Sequence, residues 1–167
     1  ISLRIWYLLL AIVCAGLLAT ALFFEHVMLL DPCPLCIFQR IAFLWMGVFG
    51  LLGALAGPRG GWRWLFSGLI VLGGAAGALI AGRHVWIQGL PPDQVPGCGP
   101  NLDYMLETMP LAEVLGKVFS GDGSCAEVQW SFLGLSMPTW TLLWYIGLSV
   151  VTLYFTLRAS RVEESKP

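Results

Sequence analysis

The sequence predicts an all-α membrane protein, a four-transmembrane-helix bundle with a long outward loop that contains a short interfacial helix. Three observations carry that expectation. The chain is 57% hydrophobic and 11% charged over 167 residues, too apolar for an ordinary soluble domain of this size. Four apolar runs have or approach the roughly 20 helical residues needed to cross a hydrocarbon core. The basic residues concentrate in alternate segments between those runs, as the positive-inside rule requires of a polytopic chain.

The runs are Ile5 to Phe24, Ile37 to Ala56, Trp64 to Gly82 and Thr139 to Leu157. With their flanks they give spans at about 5–26, 37–57, 64–86 and 139–158 in a single membrane domain, 1–167. The first run follows a single basic residue and ends without a small-residue cleavage site, so it reads as a retained helix; the start without Met reads as trimmed or processed. The third contains GGAAGALIAG, whose small residues let helix backbones approach closely, and is expected inside the bundle.

Arg4, Arg59, Arg63, Arg158, Arg161 and Lys166 place both termini and the GPRGGWR turn on the cytoplasmic side. The segments 27–36 and 89–138 then face outward, the longer one with six acidic residues and only Lys117 as a base. Four of the five cysteines share that outer side: Cys33 and Cys36 in the short link, Cys98 and Cys125 in the long loop. On an oxidising side, an even set of four reads as disulfide chemistry. Cys14, alone in the first helix, reads as a small buried hydrophobe.

DPCPLCIFQR, residues 31–40, is the most informative stretch. With a helix starting near Cys36, Cys36 and Arg40 share one face, one turn apart. A cation and a helix N-terminus both favour thiolate, the reactive species in exchange. An arginine at a membrane boundary is a functional hypothesis by default, with a snorkelling anchor as the bland reading. A c-type haem is excluded because position 37 is Ile, not His. A zinc site from Cys33, Cys36, Cys98 and Cys125 is disfavoured because neither loop cysteine has a nearby partner ligand, and no metal is expected. No nucleic-acid or nucleotide motif is present.

In the outer loop, GLPPDQVPGCGPN places Cys98 on an irregular segment. From Leu111 to Phe119, Leu111, Val114, Leu115, Val118 and Phe119 share a helical face while Glu113 and Lys117 point away. That pattern fits a helix in the membrane interface or one packed on protein, and the interface is the favoured expectation. SGDGSCAEVQW then forms a second turn-rich cysteine site. Taken alone, Cys98 and Cys125 would read as a structural staple closing a long loop.

EHVMLLDPCPLCIFQR, RHVWIQ and GDGSCAEVQWSFLGLSMPTW together resemble the disulfide bond formation protein B (DsbB) family of bacterial inner membranes, over most of the chain. The resemblance implies a multi-pass inner-membrane thiol:quinone oxidoreductase, with cytoplasmic termini and periplasmic redox loops. It would reoxidise the periplasmic thiol oxidase DsbA and reduce the membrane pool of ubiquinone or menaquinone. The periplasm is known to be kept oxidising by that pathway. By the same resemblance, reduced DsbA attacks Cys98, Cys125 exchanges with Cys33, Cys36 faces the quinone, and Arg40 supports both thiolate and quinone. The resemblance also makes His84 a neighbour of the quinone head group.

Glu25 and His26 are expected to have interfacial structural roles. Gln39 stands where an acidic residue can occur in the family, which leaves the charge beside Arg40 open. Trp130 is either near the site or an interfacial anchor. The alternative readings are a quinone-linked enzyme of the vitamin K epoxide reductase type and a non-enzymatic scaffold with structural disulfides.

Overall fold

The computed structural model describes residues 2–97, 99, 100 and 102–164. Four long helices dominate it: α1 (Leu3–His26), α2 (Pro34–Ala56), α3 (Gly61–Gln88) and α7 (Met137–Glu164). Each is long and apolar enough to cross a membrane, so the chain is a four-helix membrane bundle. Between α3 and α7 lie three short helices and a hairpin: α4 (Leu102–Thr108), α5 (Leu111–Ser120), α6 (Gly123–Ala126), β1 (Ser131–Phe132) and β2 (Leu135–Ser136).

All four long helices start two or three residues before their apolar runs, and two of them include a proline in the added turn. Pro34 is the first residue of α2, and Pro138 lies in the first turn of α7. A first-turn proline gives up an N–H that has no intrahelical partner, and its fixed φ suits the helix. Cys33 consequently becomes the N-cap of α2 in extended conformation, and Cys36 lies inside its first turn.

Packing runs α1 on α2, α2 on α3 and α3 on α7, while α1 and α7 meet more sparsely. The core holds Tyr7, Leu10, Met46, Ile70 and Tyr145. Close approach is bought by glycine: a Cβ on Gly53 would lie 2.9 Å from the Tyr7 ring. In α3, Gly73, Gly74, Gly77 and Ala81 face the bundle, whereas Leu72 and Leu79 face outward toward lipid.

The outer loop is tied to the bundle. Arg83 of α3 donates through Nε to the Phe119 carbonyl (3.1 Å) and through Nη2 to the Ser120 carbonyl (3.4 Å), satisfying acceptors at the end of α5. Val114 and Val118 of α5 are buried in a cluster with Leu35, Ile87 and Met105, while Leu111 and Phe119 remain exposed. One edge of the α5 apolar face thus packs on protein, while Leu111 and Phe119 leave the other edge exposed. The hairpin turns through Leu133 and Gly134, both at positive φ, and Trp140 Nε1 donates to the Phe132 carbonyl at 3.1 Å.

Candidate redox site

The site is built on the first turn of α2. The Cys33 carbonyl accepts from the N–H groups of Cys36 (3.0 Å) and Ile37 (3.2 Å), curling the chain so that the Cys33 and Cys36 sulfurs lie 3.1 Å apart. Both thiols therefore sit at the positive end of the helix dipole, which favours anionic sulfur. From α3, His84 brings Nε2 to 3.7 Å from Cys33 Sγ and Nδ1 to 4.0 Å from Cys36 Sγ. His84 is buried.

Cys125 arrives from the outer loop on α6. Asp122 caps this short helix, its carboxylate accepting from the N–H groups of Ser124 (3.0 Å) and Cys125 (3.3 Å). The Cys125 and Cys33 sulfurs and a His84 ring nitrogen lie within 4.8 Å of one another. The Cys33 thiol donates toward Cys125, which lowers the Cys125 pKa to about 7 against the opposing cost of burial; backbone N–H groups and His84 assist. The same hydrogen bond, together with the one to Cys36, raises the Cys33 pKa. Cys33 thus retains the proton and Cys125 is the readier thiolate.

Arg40 makes its polar contacts with α1. Its guanidinium pairs with Glu25 of α1 and donates to the Ala21 carbonyl at 3.2 Å, so the side chain reaches across to α1; the polar group recorded beside Cys36 is His84. Glu25, expected to be only an interfacial residue, is the counter-ion of Arg40. Arg40 and Cys36 nevertheless line the same cavity.

That cavity, of about 330 Å³, lies among α1, α2, α3 and α7 beneath the hairpin. Cys36, Gln39, Arg40, His84 and Glu127 are among its polar lining groups, and Leu17, Phe24, Phe43 and Trp144 among its apolar walls. Trp130 also lines it and packs on Phe24 with ring centroids 5.1 Å apart. The arrangement suits a small amphipathic ligand with a flat polar-edged head. Cys33, His84 and Cys125 also form a donor set acceptable to a soft metal ion, although thiol exchange requires the same closeness.

Gln39 is a neighbour of His84 that sequence reasoning left open, and Thr141 and Tyr145 are partners of Gln39 that it missed. The buried Gln39 amide nitrogen lies 3.2 Å from His84 Nδ1, Thr141 Oγ1 donates to Gln39 Oε1 at 2.7 Å, and Tyr145 donates to the Gln39 carbonyl at 2.5 Å. The available signal was a pair of hydroxyls four residues apart at the start of the last helix.

Cys98 lies outside the described residues. Its neighbour Gly97 accepts from the Gly123 N–H at 3.4 Å, which ties that stretch of loop to the start of α6. Cys14 is a buried free thiol in the α1 core, remote from this cluster.

Comparison with known proteins agrees with this architecture. Residues 3–155 match the family model described as Disulfide bond formation protein DsbB. Similar curated proteins, each named Disulfide bond formation protein B, include one from Marinobacter nauticus, 51% identical over 147 residues, covering 88% of each chain. Another, from Xanthomonas axonopodis pv. citri, is 47% identical over 164 residues, covering 96% of this chain and 95% of the relative. A third, from Saccharophagus degradans, is 46% identical over 145 residues, covering 87% of each.

Proposed function

Because the chain belongs to the disulfide bond formation protein B family of multi-pass membrane proteins, we propose that it reoxidises a DsbA-like periplasmic thiol oxidase and passes the electrons to membrane quinone. The observation that carries this reading is the junction of three thiols with a lipid-depth cavity: Cys125, Cys33 and Cys36 converge on His84, and Cys36 opens into the cavity.

The oxidised resting enzyme holds Cys33–Cys36 and Cys98–Cys125 disulfides. A thiolate of the reduced partner attacks Cys98, forming a mixed disulfide and releasing Cys125 as thiolate. The second partner thiolate displaces Cys98, giving oxidised partner. Cys125 thiolate attacks Cys33, breaking Cys33–Cys36 and releasing Cys36 thiolate. The backbone N–H groups around Cys125 and the nearby His84, which favour its thiolate even when Cys33 is in a disulfide and has no proton to donate, suit it to be the leaving and attacking sulfur. Cys98 then displaces Cys33 and restores Cys98–Cys125, leaving the reduced Cys33–Cys36 pair with the two electrons.

Ubiquinone or menaquinone would supply a two-electron, two-proton acceptor, so that the Cys33–Cys36 disulfide is restored as quinol forms. Cys36, Gln39, Arg40 and His84 would surround the quinone head, and the apolar walls would exclude water. The cavity's size, near the lower end of the roughly 300–1,000 Å³ usual for small-molecule sites, fits a single ring. We place the protein in the bacterial inner membrane with its termini cytoplasmic and the thiol end periplasmic. Support comes from the basic residues gathered at the opposite end.

The test is quinone reduction by purified protein given reduced DsbA-like dithiol. Turnover that requires Cys33, Cys36, Cys98 and Cys125 together supports the relay. Failure of the folded native protein with both ubiquinone and menaquinone, beside a competent partner, overturns it.

A further inference from the structure

We propose that Gln39, held by Thr141, is a positioning residue that fixes the tautomer of His84 with its proton on Nε2, facing the sulfurs that exchange. The inference deepens the relay reading and rests on it for its functional consequence, but not for its geometry.

Thr141 Oγ1 donates to Gln39 Oε1 at 2.7 Å, which orients the amide with its nitrogen toward His84 Nδ1, 3.2 Å away. An amide nitrogen can only donate, so Nδ1 must be the acceptor and the neutral ring carries its proton on Nε2. Nε2 lies 3.7 Å from Cys33 Sγ. Cys36 Sγ stands 4.0 Å from Nδ1, and the Cys125 sulfur completes the cluster. Gln39 is 4% and His84 3% exposed, so solvent has little access to replace either partner. The Gln39 backbone is pinned as well, by the Tyr145 hydroxyl at 2.5 Å.

The opposite arrangement is available to the same heavy atoms. The Pro138 carbonyl lies 2.9 Å from Thr141 Oγ1 and competes for its single proton. With the hydroxyl turned to Pro138, a rotated Gln39 amide would donate to Thr141 and accept from Nδ1–H. Nε2 would then present a lone pair to Cys33, where the first arrangement presents a donor to the thiolate that Cys33 becomes when Cys98 displaces it. The Thr141 bond to Gln39 therefore decides whether His84 offers a donor or an acceptor to the Cys33–Cys125 exchange.

The chain has two histidines, so ring-nitrogen NMR of reduced, ¹⁵N-histidine-labelled protein in lipid nanodiscs can read the tautomer, with His26→Gln assigning the signals. We expect a protonated, pyrrole-type Nε2 and a pyridine-type Nδ1 in the native protein. Thr141→Val and Gln39→Leu should each mix the tautomers and slow Cys125-to-Cys33 exchange, followed by acid-quenched trapping, about tenfold; Thr141→Ser should restore both. A pyridine-type Nε2 in the native protein overturns the proposal, as do unchanged ring signals in both variants. The native spectrum needs no turnover and no variant. Failure of quinone reduction with the expected spectrum would therefore count against the relay and not against the tautomer.

Discussion

The two ends of the bundle bury polar groups to different ends. Away from the thiols, the Tyr7 hydroxyl donates to the Arg63 carbonyl (3.1 Å) and shares a hydrogen bond with Ser67 (2.7 Å), which in turn meets Thr156. These neutral hydroxyls tie α1, α3 and α7 together, and none lines the large cavity. At the thiol end, Cys33, Cys36, Gln39 and His84 are also close-packed, yet all four border that cavity. A closed network of hydroxyls holds helices in register. An open network of sulfur, imidazole and amide sets the thiols of the same helices against a cavity along one edge.

The sharpest way to break the comparison is to remove a sulfur. Cys36→Ser should reduce quinone turnover to the uncatalysed background while leaving the melting temperature nearly unchanged, because the substitution is small and the fold does not depend on that thiol. Retained turnover would erase the distinction between the two ends.

Next in size is Arg40→Ala, expected to raise the quinone concentration for half-maximal rate about tenfold, the scale of one lost charge-assisted hydrogen bond. Glu25→Gln, which removes only the counter-ion of Arg40, should change that concentration by no more than about threefold, since partly exposed ion pairs are weak. An equal effect of both would mean that the pair itself, and not Arg40, shapes the cavity.

The proton held between Cys33 and Cys125 gives a pH prediction. In reduced protein carrying Cys36→Ala and Cys98→Ala, thiolate absorbance should appear with a midpoint near 7, and Cys33→Ala should move that midpoint upward toward the ordinary thiol value of about 8.5. The sign follows from linkage. A folded thiol held below its unfolded value of about 8.5 adds stability above that value, and the contribution is lost as pH falls through about 7. Cys33, raised, contributes oppositely: its share is present below the unfolded value and lost as pH rises above it. An unmoved midpoint would dissolve the pairing.

The smallest effect belongs to the closed end. Tyr7→Phe should cost about 0.6 kcal/mol of stability, the average for a hydrogen bond inside a membrane bundle, with no change in turnover. Thermal unfolding in detergent and the quinone assay read the two quantities separately.

Local pattern made much of this legible. Apolar runs of spanning length exposed the four helices, and Cys14 announced itself as core by its position midway along one of them. The CxxC was a pointer only in combination with its membrane-edge position and the outer-loop motifs. What spacing could not carry was meeting across the chain. Cys33 and Cys125 come together only because α6 is capped by Asp122 and the loop is clamped by Arg83. His84, Gln39 and Thr141 lie on three different helices, so no period links them. Arg40 shares a helical face with Cys36, but a long side chain can leave its own face, and the acid on α1 drew it there. The earlier start of α2 follows from reading Pro34 as a first-turn residue rather than as a breaker.

The measurement that tests the central claim most directly is a single turnover. Fully reduced protein carrying Cys98→Ser and Cys125→Ser, which cannot pass the disulfide onward, is mixed anaerobically with one equivalent of quinone, quenched in acid, and its cysteines are assigned by alkylation and peptide mass. The account predicts one quinol formed per two thiols lost, with Cys33 and Cys36 joined and Cys14 still free. Quinone left unreduced, or quinol formed while Cys33 and Cys36 both remain thiols, would contradict it.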